Sequence, residues 1–62
     1  MTNDADQRRG LALQDAADHL RRARAAVAAA AEGEQQEARR VRLVQLHAVV
    51  ADTLEQAQRL QP

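Results

Sequence analysis

The chain has 62 residues, with nine arginines, no lysine, nine acidic residues and a formal net charge of zero. A chain of this length forms one domain at most, and zero net charge excludes a strong overall attraction to nucleic acid or to an anionic membrane. It has no Cys, Phe, Tyr or Trp, so neither disulfides nor aromatic side chains can stabilise a core.

The amino-terminal segment predicts a weak start to a helix. Thr2 or Asn3 can act as the N-cap, and two aspartates follow in the first turn, where the helix dipole favours acidic groups. Gly10 lowers helix stability by about 1 kcal/mol relative to alanine. We therefore expect residues 1–10 to be frayed or weakly helical and residues 11–62 to form the folded domain.

The first predicted helix spans about residues 11–32. Leu13, Leu20 and Val27 recur every seven residues, which is the repeat of a helix that packs lengthwise against other helices. An alanine follows each of them three positions later: Ala16, Ala23 and Ala30. Alanine at these positions lets helix axes approach closely, because it adds little side-chain volume.

Gly33 predicts the end of this helix. The strong apolar repeat of the second half begins at Leu43, two residues out of phase with the first repeat. A phase shift beside a glycine indicates a C-capping glycine and a reversal of the chain. The alternative is one continuous long helix in a coiled coil, because Val41 and Val44 weakly extend the first repeat.

The second predicted helix spans about residues 34–61 and is followed by Pro62. At about 100° per residue, its apolar residues cover more than half of the helix circumference, which one neighbouring helix cannot bury. Val49 and His47 flank the repeat on either side. The predicted oligomer seam consists of Leu13, Ala16, Leu20, Ala23, Val27, Ala30, Leu43, Leu46, Val50, Thr53, Leu54, Ala57 and Leu60.

These elements predict an all-α fold, an antiparallel helical hairpin that dimerises into a four-helix bundle. Dimerisation is expected because the large apolar side chains are only seven Leu, five Val and Met1. Small domains with so limited a core commonly gain stability by oligomerising.

Reversal at Gly33 would bring six of the nine arginines into one band. Residues whose numbers sum to about 66 would then lie side by side. The band consists of Arg21, Arg22, Arg24, Arg39, Arg40 and Arg42. One interpretation is assembly, with the band facing acidic residues of a second subunit. The other is phosphate binding, because the guanidinium fork suits phosphate oxygens.

The residues for metal binding or catalysis are scarce. His19 and His47 would lie at one level of the hairpin, but the chain has no Cys and no His-x-x-x-His spacing, so we expect no metal and no cofactor. Ser, Cys, Lys and Tyr are absent, which leaves few groups for nucleophilic catalysis.

The sequence therefore predicts a non-catalytic protein–protein interaction module, such as an adaptor, regulator or assembly factor. Its expected partners are a second copy of itself and a larger protein. The alternative is an RNA- or DNA-binding regulator that uses the arginine band, although no aromatic residue is present to stack on a base. No apolar run reaches the roughly 18–20 residues of a membrane span, and the amino end does not resemble a signal peptide, so a cytoplasmic location is predicted.

Overall fold

The computed structural model describes residues 4–61, which form two helices joined by a three-residue loop. Helix α1 is Asp4–Gly33 and helix α2 is Glu37–Leu60. The helices pack against each other in a rod of 54 × 14 × 11 Å. The predicted all-α helical hairpin is confirmed, and the alternative of one continuous helix is wrong.

Helix α1 begins earlier than the sequence pattern indicates. Residues 4–10 are helical and continuous with the rest of α1, so Gly10 lies inside the helix. Fraying of this segment in solution stays a prediction. The predicted capping residues Thr2 and Asn3, like Pro62, lie outside the described residues.

The contact between the helices uses the predicted heptad residues and the positions four residues after them. Leu13, Leu20 and Val27 of α1 are half-buried, as are their counterparts in α2, Leu43, Val50 and Ala57. In the described part of the chain two side chains are buried, Ala17 and Leu54, and each lies four positions after a heptad residue. Because side chains three and four positions apart share a face of a helix, these residues form one continuous stripe on each helix.

Two details of the reversal differ from the sequence prediction. Gly33 is the last residue of α1, and no described glycine has a positive φ, so Gly33 is not a left-handed cap. The chain reverses instead in residues 34–36, which places α2 three residues later than predicted. Gln36 is the N-cap residue of α2, with extended backbone angles.

Glu34 holds the loop with both its side chain and its backbone. Its carboxylate accepts a hydrogen bond from the backbone N–H of Gln36 at 3.0 Å. Its carbonyl oxygen accepts two hydrogen bonds from the Arg40 guanidinium, from Nε at 3.2 Å and from Nη2 at 3.1 Å. These bonds satisfy backbone groups that a helix end leaves without partners inside the helix.

We expect the Gly33→Ala variant to be more stable than the wild type by about 0.4–1 kcal/mol, because alanine restricts the unfolded chain and φ at this position suits it. A Cβ atom at Gly33 would meet no atom within 4 Å. For a domain of this size the gain corresponds to a rise in Tm of roughly 2–8 °C, measured by circular dichroism.

The Gly33→Asn variant is the matched comparison. Asparagine tolerates the left-handed conformation better than alanine but has the lower helix propensity. The structure therefore predicts that alanine is the more stabilising replacement. A left-handed cap at Gly33 would give the reverse order.

Candidate interaction surface

The second half of the predicted seam is exposed in the hairpin. This half consists of the residues three positions after each heptad residue. The contact between the helices uses the heptad residues and those four positions after them. Val49 belongs to the same surface, because it lies three residues after Leu46 and four before Thr53. We call this surface the Ala/Leu face, and it consists of Ala16, Ala23, Ala30, Leu46, Val49, Thr53 and Leu60, all of which are exposed.

The Ala/Leu face is a single surface, although its residues come from both helices. A step of three residues turns the side chain by about 300° around the helix axis. The direction of this rotation is the same for both helices when each is viewed from its own amino end. Because the helices run antiparallel, equal rotations bring both sets to the same side of the hairpin. A groove of about 470 Å³ agrees with this placement, since Ala30 of α1 and Arg42 of α2 both line it.

The opposite surface of the hairpin has a different composition on each helix. One position after the heptad residues, α1 carries Gln14 and Arg21, whereas α2 carries Val44 and Ala51. A groove of about 600 Å³ near the open end is lined mostly by polar residues: Asp6, Gln7, Gly10, Leu11, Gln14, Asp18, Arg21 and Gln61. The two surfaces thus differ mainly in α1, which contributes alanines to the Ala/Leu face and polar residues to the opposite face.

The hydroxyl of Thr53 is already satisfied within α2. Its Oγ1 donates a hydrogen bond to the Val49 carbonyl oxygen at 2.8 Å. A buried hydroxyl without a partner is costly, whereas one bonded to its own helix can be covered by apolar groups. Thr53 therefore does not prevent the Ala/Leu face from being buried.

The structure does not gather the six predicted arginines at one level. The loop is centred on Gln35, so residues whose numbers sum to about 70, rather than 66, lie side by side. Along the rod, the arginines of α1 therefore lie about 6 Å farther from those of α2 than a reversal at Gly33 would place them. The sequence did not predict the loop at residues 34–36, because glycine is the usual turn residue and Gly33 therefore indicated a reversal at that position.

Three of the nine arginines form ion pairs, each within one helix. Arg9 contacts Asp6 at 3.3 Å, Arg21 contacts Asp18 at 2.6 Å, and Arg59 contacts Glu55 at 2.7 Å. Arg40 is engaged at the loop, as described above. Within residues 4–61, five arginines have no ion pair or side-chain hydrogen bond: Arg8, Arg22, Arg24, Arg39 and Arg42.

Arg24 lies four residues after Leu20, on the stripe that contacts α2, but it is exposed overall. Because residues whose numbers sum to about 70 lie side by side, Arg24 is near the level of His47. Its position agrees with a boundary arginine whose stem packs against the stripe while its guanidinium reaches water. A role for Arg24 in fixing the register of an oligomer stays a prediction.

The two histidines are not level with each other. His19 is exposed and its Nε2 lies 3.3 Å from Asp15 Oδ2, one turn earlier on α1. His47 is half-buried on the stripe that contacts α1. In the described part of the chain, no group of three His, Asp or Glu side chains is placed to hold a metal ion.

Comparison of the chain with protein-family models, curated proteins and solved structures finds no match. Neither described helix combines the length and apolar character needed to cross a membrane.

Proposed function

We propose that this chain is a non-catalytic protein–protein interaction module that acts as a homo-oligomeric helical bundle. The observation that carries the proposal is the size of its exposed surface. The chain exposes 5077 Å², whereas a compact monomer of 6.8 kDa exposes about 4,000 Å². The excess, roughly 1,100 Å², exceeds the ~800 Å² that each partner buries in a standard-size interface.

The shape of the hairpin explains the excess. Its radius of gyration is 15.2 Å, compared with about 11 Å for a compact domain of this length. Two helices side by side have no interior, and among the hydrophobic residues of positions 4–61 only Ala17 and Leu54 are buried. A second pair of helices would supply the missing layer, as in a four-helix bundle.

The exposed apolar side chains are the second support. Between residues 4 and 61, six large apolar side chains are at least 47% exposed, namely Leu11, Val41, Val44, Leu46, Val49 and Leu60. Scattered apolar residues are normal on protein surfaces, but contiguous apolar patches mark interaction sites. Three of the six, Leu46, Val49 and Leu60, belong to the Ala/Leu face.

As an adaptor, regulator or assembly factor in the cytoplasm, the bundle would present its remaining surface to a larger protein. The nucleic-acid alternative has less support. The five arginines without ion pairs lie on different sides of the hairpin, and the net charge of zero provides no broad positive field.

Sedimentation equilibrium of the purified chain tests the proposal. We expect a mass that is an even multiple of 6.8 kDa, with a dimer as the smallest folded species. The Tm is expected to rise with protein concentration, because association stabilises the folded state by mass action. A folded chain that sediments as a monomer at all concentrations would rule out the homo-oligomer.

A further inference from the structure

Building on the proposed function, we propose that a second copy of this chain covers the Ala/Leu face, with the two hairpins face to face and antiparallel. In this arrangement α2 packs on α2 of the second copy and α1 packs on α1. The loop of each hairpin then lies at the open end of the other.

Composition separates this face from its opposite. On the Ala/Leu face, α2 contributes Leu46, Val49 and Leu60, and α1 contributes alanines that allow close approach of helix axes. On the opposite face, Asp18 and Arg21 form an ion pair, which a second copy would have to desolvate. Desolvating charged groups opposes association even when they are paired. On the Ala/Leu face the corresponding pair is His19 with Asp15 of α1, at 3.3 Å, whereas no residue that α2 contributes to this face forms an ion pair.

The area of the face suits a stable dimer. The hairpin measures 54 by 14 Å across its broad side. This side has a footprint of about 750 Å², which is of the same order as the ~800 Å² of accessible surface that each partner buries in a standard-size interface. Contact across the narrow side, through one helix, would cover less.

The charges at the ends of the face favour the antiparallel orientation. Arg39 and Arg42, both without ion pairs, lie near the loop and line the groove beside Ala30. In a parallel dimer these cations would gather at one end of the bundle. Val49 lies at the midpoint of α2, and an antiparallel dimer with its two-fold axis at this level brings Arg42 within about one helical turn of Asp52 of the second copy. Asp52 accepts a hydrogen bond from Gln56 at 3.1 Å, and because a carboxylate can accept several, it can also accept one from an arginine.

Two variants matched in residue type, helix and exposure test the face. Val49 on the Ala/Leu face is 61% exposed, and Val44 on the opposite face is 57% exposed. We expect Val49→Glu to raise the dimer dissociation constant by roughly 100-fold or more, because it buries unpaired carboxylates between the copies. We expect Val44→Glu to leave the dissociation constant within about threefold, because a solvated carboxylate on a helix surface is tolerated.

The outcomes separate this inference from the proposed function. A wild-type chain that is monomeric overturns both. A wild-type dimer that Val49→Glu leaves intact overturns the face alone, and so does a dimer that only Val44→Glu dissociates. Circular dichroism of each variant shows whether the helices persist.

Disulfide formation provides a second measurement that does not depend on disrupting the dimer. The chain has no cysteine, so one introduced cysteine reports one position. Val49 lies near the two-fold axis of the antiparallel dimer, so we expect Val49→Cys to form an intermolecular disulfide on mild oxidation. Val44→Cys is the matched control and should stay reduced. If Val49→Cys also stays reduced in a dimer, the antiparallel orientation is wrong.

Discussion

Replacing Leu54 by alanine is expected to lower the free energy of unfolding by roughly 2–5 kcal/mol, the range for large-to-small substitutions at buried positions. Leu54 is the one large side chain between residues 4 and 61 that the hairpin buries, with 2% of its surface exposed. Truncation removes its apolar contacts and leaves a cavity that two rigid helices cannot fully close. A domain of this size has a total stability of only about 3–9 kcal/mol, so the variant should be largely unfolded near the wild-type Tm.

Chemical denaturation followed by circular dichroism measures this loss. The matched control is Leu11→Ala, because Leu11 is 62% exposed and lies outside both the helix contact and the Ala/Leu face. We expect a change within about 0.5 kcal/mol there. Equal losses at the two positions would mean that α1 and α2 do not pack through Leu54.

The hairpin could be predicted from the sequence because its strongest signals agree. Leu13, Leu20 and Val27 mark one helix, and the repeat that begins at Leu43 marks another in a different phase. Both repeats contribute to the observed contact between helices. Between residues 4 and 61, five of the six Leu and Val side chains that are buried or half-buried are heptad residues, so these residues define the contact between the helices.

The choice of the second row of contact residues could not be predicted from α1. The positions three after each heptad residue are alanines, and two of the three positions four after are alanines as well, Ala17 and Ala31. A helix face built from alanine does not distinguish between these two rows by hydrophobicity. The structure uses the row that contains Ala17 for the contact within the chain and leaves the row that contains Ala16 exposed.

The position of the chain reversal could not be predicted from the sequence pattern either. Glycine signals a turn through its freedom to adopt positive φ, but Gly33 remains helical. The loop is held instead by hydrogen bonds to Glu34, one from the backbone of Gln36 and two from Arg40. Such bonds join residue types that are common on any helix surface, so no residue pattern predicts them.

Enlarging Ala17 to leucine is the complementary prediction to the Leu54 truncation. Ala17 is fully buried. It lies opposite Leu54, because residues whose numbers sum to about 70 are side by side in the hairpin. A small residue facing a large one lets the helices approach closely at this level. We expect Ala17→Leu to lower the free energy of unfolding by about 1–3 kcal/mol, because added methyl groups force the helices apart. Ala25→Leu, at an exposed position of the same helix, should change it by less than about 0.5 kcal/mol.

The double variant Ala17→Leu/Leu54→Ala decides whether the two residues share one site. It exchanges the small and large side chains across the contact and so roughly conserves their summed volume. Residues in contact show coupling energies of about 0.5–3 kcal/mol in double-mutant cycles, whereas distant residues add independently. We expect the double variant to be more stable than Leu54→Ala alone, because the leucine at position 17 fills the cavity. Additive losses would place Ala17 and Leu54 at different levels of the hairpin, and the register set by the loop at residues 34–36 would then be wrong.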